Sequence, residues 1–190
     1  MFGRRPAIVR AAGRLADLGF DTVAPDLFDG QTTTDVVTAL ALRDGWETPR
    51  LLDHLAEVVD RHAGQEPPVL IGWSWGASTA VRLALSGCPV RALVLFHGLA
   101  GAPAPGCSAL SAPVAVHVAD ADPFLTPAEV EEAASGLRAV GADVTVSTYR
   151  CDTHLFTDAE HPDHDPVAAH SAWKAAERFL LDLTATNGAL

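Results

Sequence analysis

The sequence predicts an α/β fold with a mainly parallel sheet. Strand-like apolar runs alternate with amphipathic helical stretches from one end of the chain to the other. Ala92–Phe96 is apolar at every position, the pattern of a strand buried on both faces of a parallel sheet. The length of 190 residues fits one domain, 1–190, with a full core.

The elements follow in order. Over Ala7–Leu18, residues Ile8, Ala11, Ala12, Leu15 and Leu18 share one helical face; Pro6 suits the first turn and Gly19 ends the helix. Thr22–Ala24 reads as a short strand ending at Pro25-Asp26. A polar stretch leads to a helix near Val36–Leu42. A second helix runs from about Pro49 to His62, with Leu51, Leu52, Leu55, Val58 and Val59 on its buried face. Residues 65–68 read as a linker, followed by a strand over 69–72 and a helix over 76–86. Gly87 and Pro89 separate that helix from strand 92–96, and residues 98–113 are a Gly/Pro/Ala-rich loop. A strand over 114–118 precedes Thr126-Pro127-Ala128-Glu129, a capping box with proline at the first helical position. That helix reaches Val140, and Gly141 ends it. A strand spans 144–149, and Asp165-Pro166 opens a last helix to about Leu183, with frayed final residues.

Composition excludes several functions. A net charge of −11 argues against nucleic acid or an anionic membrane as partner. No run reaches the roughly 18 apolar residues that span a bilayer. The start, Met1-Phe2-Gly3-Arg4-Arg5-Pro6, lacks the apolar stretch of a signal peptide. Three scattered cysteines, Cys88, Cys107 and Cys151, make neither a disulfide framework nor a zinc site, and the odd count points to free thiols. The expected location is the cytoplasm.

The chemistry centres on Gly72-Trp73-Ser74-Trp75-Gly76, a Gly-x-Ser-x-Gly pattern between a strand and a helix. Chance supplies the bare pattern in roughly one chain in twenty of this length at average glycine usage, so the flanking elements carry the weight. The glycines allow a sharp bend that lifts the Ser74 hydroxyl above the sheet. The helix N-terminus behind it offers backbone N–H groups to developing negative charge.

A serine hydroxyl needs a base to take its proton and a third group to orient that base. Behind such a turn the acid and then the histidine follow at later strand ends. Strand 114–118 runs into Asp120-Ala121-Asp122-Pro123, and strand 144–149 into Asp152-Thr153-His154. Of eight histidines, His154 alone lies just past the strand after the acid. Asp122 is preferred as the acid because Pro123 and the capping box follow it; Asp120 is the fallback. His97, just after strand 92–96, is placed to line a pocket, as are Trp73, Phe124 and Leu155; for Trp73 and Trp75 core packing is an equal alternative. The cluster His161-Pro162-Asp163-His164-Asp165 has mixed ligands that suit several metals, but it reads more simply as a solvated loop capping the last helix. Arg43 reads as a solvated helix arginine before it reads as an anchor for a substrate carboxylate.

These motifs together resemble the dienelactone hydrolase family of α/β-hydrolases. The resemblance rests on Arg14–Phe20 with Ala24-Pro25-Asp26-Leu27-Phe28, on the Ser74 turn, on Asp120–Pro123, and on Tyr149–Phe156 with its trailing phenylalanine. It implies an α/β-hydrolase domain with helices on both faces of the sheet, and no long insertion between the strands reads as a lid. Two departures stand out. The family's nucleophile is cysteine, and position 74 is serine, which favours ordinary ester or thioester chemistry. In the family an apolar strand and a loop precede the first helix, and that loop gives one oxyanion-hole N–H. Met1-Phe2-Gly3 resembles the end of that loop, so the expectation is a natural chain that starts upstream and a sheet short of its first strand or strands.

The expected activity is hydrolysis of small carboxylic esters or lactones. Ser74 would be the nucleophile, His154 the base and Asp122 its orienting acid. Trp75 would give one oxyanion-hole N–H and Met1 or Phe2 the other. This chemistry is expected to require no cofactor and no metal, and the oligomeric state is not readable. The alternatives are a thioesterase or acyltransferase on the same three residues, a non-catalytic ligand-binding protein of the same fold, and a fragment completed by a partner chain.

Overall fold

A computed structural model describes residues 1–62, 64, 66–101 and 103–187. Gln65 of the expected linker and Ala102 of the expected loop lie outside the described residues, as do 188–190 of the end expected to fray after Leu183; the last helix runs on to Asn187 instead. The chain forms two compact units, Met1–Gly64 and Gln65–Leu190.

The first unit is helical: α1 (Pro6–Asp17), α2 (Val36–Asp44) and α3 (Thr48–His62). Pro6 opens α1 after an extended Arg5, where a missing N–H costs nothing. Gly19 ends it at φ +92°, donating to the Ala16 carbonyl at 2.9 Å. Asp35 caps α2: its carboxylate accepts the Thr38 N–H at 2.7 Å and the Thr38 hydroxyl at 2.8 Å. These bonds hold the Asp35 carboxyl below its ordinary pKa. The Asp26 carboxylate accepts the N–H groups of Phe28 and Gly30, and Trp46 Nε1 donates to the Leu27 carbonyl at 2.8 Å.

The strand expected over Thr22–Ala24 does not form; no described residue of this unit is in a strand. Three residues of suitable composition give propensity without a partner, and a strand exists only by pairing. The Thr22 hydroxyl instead donates to the Ala12 carbonyl of α1.

The second unit holds the sheet. Strands β1 (Val69–Trp73), β2 (Ala92–Phe96), β3 (Pro113–Ala119) and β4 (Asp143–Tyr149) lie in that order and are all parallel. Helix α4 (Trp75–Leu85) connects β1 to β2, α5 (Pro127–Ala139) connects β3 to β4, and α6 (Pro166–Asn187) follows β4. Parallel neighbours need such crossovers, and they bring all four C-terminal strand ends to one edge.

Register assigns the two faces. Leu93 pairs with Val114 and Val114 with Val144; Leu95 pairs with Val116 and Val116 with Val146. These residues join one core with Ala77, Val81 and Ala84 of α4 and Val130, Ala134 and Leu137 of α5. The alternate residues face the other way. Trp73, Phe96 and His117 stand side by side in register, and their rings stack, Trp73 on Phe96 at 5.5 Å and Phe96 on His117 at 5.0 Å. Trp173 of α6 covers them, its ring 5.0 Å from Phe96. Helices therefore flank both faces, which is why every residue of β2 is fully buried.

The expected capping box starts α5. Thr126 Oγ1 accepts the Glu129 N–H at 3.3 Å, and Glu129 Oε2 accepts the Thr126 N–H at 2.8 Å. No helix among the described residues is long and apolar enough to cross a membrane.

His117 gives the fold a pH dependence. Burial pushes its imidazole from an ordinary 6.5 to about 4. Between those values the unfolded chain binds more protons than the folded one, so stability falls as pH drops through that window. Urea midpoints measured from pH 7 to pH 4 should decline, and His117→Phe should decline less steeply. Parallel slopes for the two proteins would remove His117 as a contributor.

Candidate active site

Ser74 occupies the single residue between β1 and α4. Its backbone is left-handed, φ +52° and ψ −116°, a conformation that costs a non-glycine residue on the order of 1–3 kcal/mol. Two contacts hold it there. The Ser74 N–H donates to the Phe96 carbonyl at 2.8 Å, extending the β1–β2 ladder past the end of the strand. Gly72 lets the turn close: a Cβ there would lie 2.5 Å from the Gly76 carbonyl and 2.6 Å from the Ala77 Cα. The two glycines are not equivalent, for a Cβ on Gly76 meets nothing within 4 Å.

Three expected residues come together above this edge. Ser74 Oγ lies 2.8 Å from His154 Nε2. His154 Nδ1 lies 2.8 Å from Asp122 Oδ2 and 3.0 Å from Oδ1. With the ring proton on Nδ1, the imidazole donates to the carboxylate and accepts from the serine hydroxyl. The Asp122 side chain is 0% exposed and that of His154 14%, so the carboxylate is shielded while the imidazole keeps an open side. Asp122 Oδ1 also accepts the Phe124 N–H at 2.8 Å. Asp120 has other work: its N–H donates to the Tyr149 carbonyl, and its Oδ1 accepts the Cys151 N–H at 3.1 Å. It ties the loop after β3 to the loop after β4.

The remaining expected residues divide. Phe124 is 76% exposed, with its ring edge-on to His154 at 5.2 Å. Leu155 is half-buried, its N–H donated to Asp163 Oδ2 at 3.2 Å. Trp73 packs against Phe96 and Trp173, its ring 5.5 and 6.1 Å from theirs. His97 is not on an open surface: it is 1% exposed, its ring 5.9 Å from that of His154 and 4.7 Å from that of Phe156. Trp75 is the first residue of α4, the helix that starts behind Ser74. Met1 and Phe2 belong to the first unit. There the Phe2 carbonyl accepts the Thr33 N–H at 3.2 Å. Burial, with Arg5 and Arg43, lowers the Met1 amino group to about 6.

The segment 161–165 clamps the histidine loop. Thr153 Oγ1 donates to the Asp163 carbonyl at 2.6 Å, and His164 Nδ1 and the Asp165 N–H both bond the Phe156 carbonyl. Asp165 Oδ1 accepts the N–H groups of Val167 and Ala168, capping α6. Among the described residues no group of three His, Cys, Asp or Glu is placed to hold a metal ion. Burial pushes the Cys151 thiol up to about 11, so it is no ready thiolate at neutral pH. Sequence reasoning missed Thr157, whose N–H and hydroxyl meet His97 Nε2 at 3.3 and 2.9 Å. A lone threonine in a polar loop carries no signal of such a contact.

Residues 1–183 match the sequence profile of the dienelactone hydrolase family. The chain belongs to that family. Membership makes it a hydrolase of the ester or lactone type. A relative from Aquifex aeolicus (strain VF5), provisionally named a carboxymethylenebutenolidase, is 27% identical over 88% of this chain and 77% of its own. Among solved structures, a dienelactone hydrolase-like promiscuous phosphotriesterase from metagenomic libraries superposes with a TM-score of 0.84 at 24% identity, covering 96% of this chain and 82% of that one. A dienelactone hydrolase, so named provisionally, from Klebsiella pneumoniae subsp. pneumoniae MGH 78578 gives 0.77 at 24% identity over the same shares. These likenesses place the sheet and its helices in the α/β-hydrolase fold.

The unequal glycines are testable. Gly72→Ala should lower stability by about 1–3 kcal/mol, as overpacking against rigid backbone does, and should lower activity with it. Gly76→Ala should change the urea midpoint little. Similar midpoints for the two variants would contradict the packing described for this turn.

Proposed function

We propose that this dienelactone hydrolase family member hydrolyses small carboxylic esters or lactones through an acyl-enzyme on Ser74. One observation carries the reading: an unbroken hydrogen-bonded line from buried Asp122 through His154 to the Ser74 hydroxyl, each link 2.8 Å long. Ser74 Oγ attacks the substrate carbonyl while His154 Nε2 takes its proton. The imidazolium then protonates the departing alkoxide, breaking the ester C–O bond and leaving an acyl group on Ser74. Water, deprotonated by His154, attacks that acyl group and frees the acid. Asp122 holds the ring in the tautomer that leaves Nε2 free to accept, and its charge stabilises the imidazolium. The Trp75 N–H, at the start of α4, is the proposed donor to the oxyanion.

The acyl-enzyme on a serine is itself an oxygen ester that water can clear. The exposed Phe124 ring beside His154 offers an apolar wall for a short acyl or aryl group. The three cysteines are unpaired, which fits a reducing compartment such as the cytoplasm.

Hydrolysis of p-nitrophenyl acetate tests the assignment. Ser74→Ala should lower kcat/KM by roughly a thousandfold or more. A fluorophosphonate probe should label the native chain and leave that variant unlabelled. An active, labelled Ser74→Ala protein would remove Ser74 from the chemistry.

A further inference from the structure

We propose that His97 is a positioning residue: its buried imidazole accepts the Thr157 N–H and hydroxyl, and so fixes the loop that aims His154 at Ser74. This rests on the reading of Ser74, His154 and Asp122 given above.

The backbone around His97 touches all three parts of the site. The carbonyl just before it, that of Phe96, holds the Ser74 N–H. Its own N–H donates to the His117 carbonyl at 2.9 Å, on the strand that leads to Asp122. Its side chain reaches the loop after β4, where Thr157 N and Oγ1 lie 3.3 and 2.9 Å from Nε2. Thr157 is three residues past His154, and the ring also packs on Phe156 between them. Two adjacent residues, Phe96 at the end of β2 and His97 just after it, thus join the serine turn, the strand that leads to the acid and the histidine loop.

The protonation state follows from the donor. A backbone N–H can only donate, so Nε2 carries a lone pair and the ring proton sits on Nδ1. Burial, with His154 and His117 nearby, holds the His97 pKa well below its ordinary value, which keeps the ring neutral. That geometry is costly in two ways. His97 is left-handed at φ +61°, and Nδ1 is buried without a hydrogen-bond partner. An asparagine or glycine would relieve the first cost and an apolar side chain the second. Packing alone therefore does not account for histidine here, and the Nε2 acceptor does.

The test uses the full chain and compares an acceptor-free variant with one that keeps an acceptor near Nε2. His97→Leu should lower kcat for p-nitrophenyl acetate by roughly ten- to a hundredfold, the scale of a misaimed catalytic group, with little change in KM. Its low-field proton signal from the His154–Asp122 hydrogen bond should broaden or vanish. His97→Gln should recover most of both. Thr157→Val, which keeps the N–H and loses the hydroxyl, should fall between. A His97→Leu protein with native kcat and native signal overturns the proposal, as do equal losses in the leucine and glutamine variants. If His97→Leu does not fold, a Thr157→Val protein unchanged in both measurements overturns it. An active Ser74→Ala protein would sink the hydrolytic reading alone, because the His154 proton signal still reports on the loop.

Discussion

The hydrogen bond from the Ser74 N–H to the Phe96 carbonyl is the constraint on which the site depends. It continues the β1–β2 ladder one residue beyond the last strand residue, so Ser74 is held as if still in the sheet. The chain must nevertheless enter α4 at the next residue. A left-handed backbone at Ser74 is how both demands are met. The strain is held by the surroundings: β1 is locked to a fully buried β2, and α4 is packed through Ala77 and Val81 into the core. Relaxing the turn would mean breaking either the sheet or that helix contact, so the surroundings over-determine the strained residue.

The same sheet explains why residues 48 positions apart, Ser74 and Asp122, and another 32 positions on, His154, can share one line of hydrogen bonds. Parallel strands end at the same edge, and each of these residues lies at or shortly after such an end. Fine placement comes from polar loops. Asp120 bonds the backbone of the His154 loop, while Asp122, two residues on, bonds the imidazole. Neighbouring carboxylates thus split the tasks of fastening a loop and orienting a ring. Asp163 and Asp165 fasten the same loop from its far side, Asp163 through the Leu155 N–H and Asp165 through the Phe156 carbonyl and the start of α6.

Much of this was legible in the sequence, and the reasons differ by element. β2 announced itself because a strand covered on both faces must be apolar throughout, and Ala92–Phe96 is. The α5 boundary was readable because a capping box is local chemistry within four residues. The strand expected at Thr22–Ala24 was not legible in the same way, since pairing is decided by residues remote in sequence. His97 shows a similar limit. Its place just after β2 suggested a residue facing substrate, but the left-handed φ turns it inward against Phe156 and Thr157. Backbone handedness at a non-glycine residue has no signature in composition.

The two glycines of the Ser74 turn have different roles from the one the bend suggests. Both seemed needed for the bend, yet neither has a left-handed φ; the left-handed residue is Ser74 itself. Gly72 is required because the first turn of α4 passes directly over its Cα, leaving no room for a Cβ. Gly76 is part of that passing turn, and its own Cβ position is open. The motif therefore encodes a close approach of helix to strand more than a flexible hinge. That closeness starts α4 immediately behind Ser74, the placement that the proposed oxyanion donor, the Trp75 N–H, requires. Close packing at Gly72 and strain at Ser74 are then one geometric fact, and the electrostatics proposed for Trp75 would follow from it.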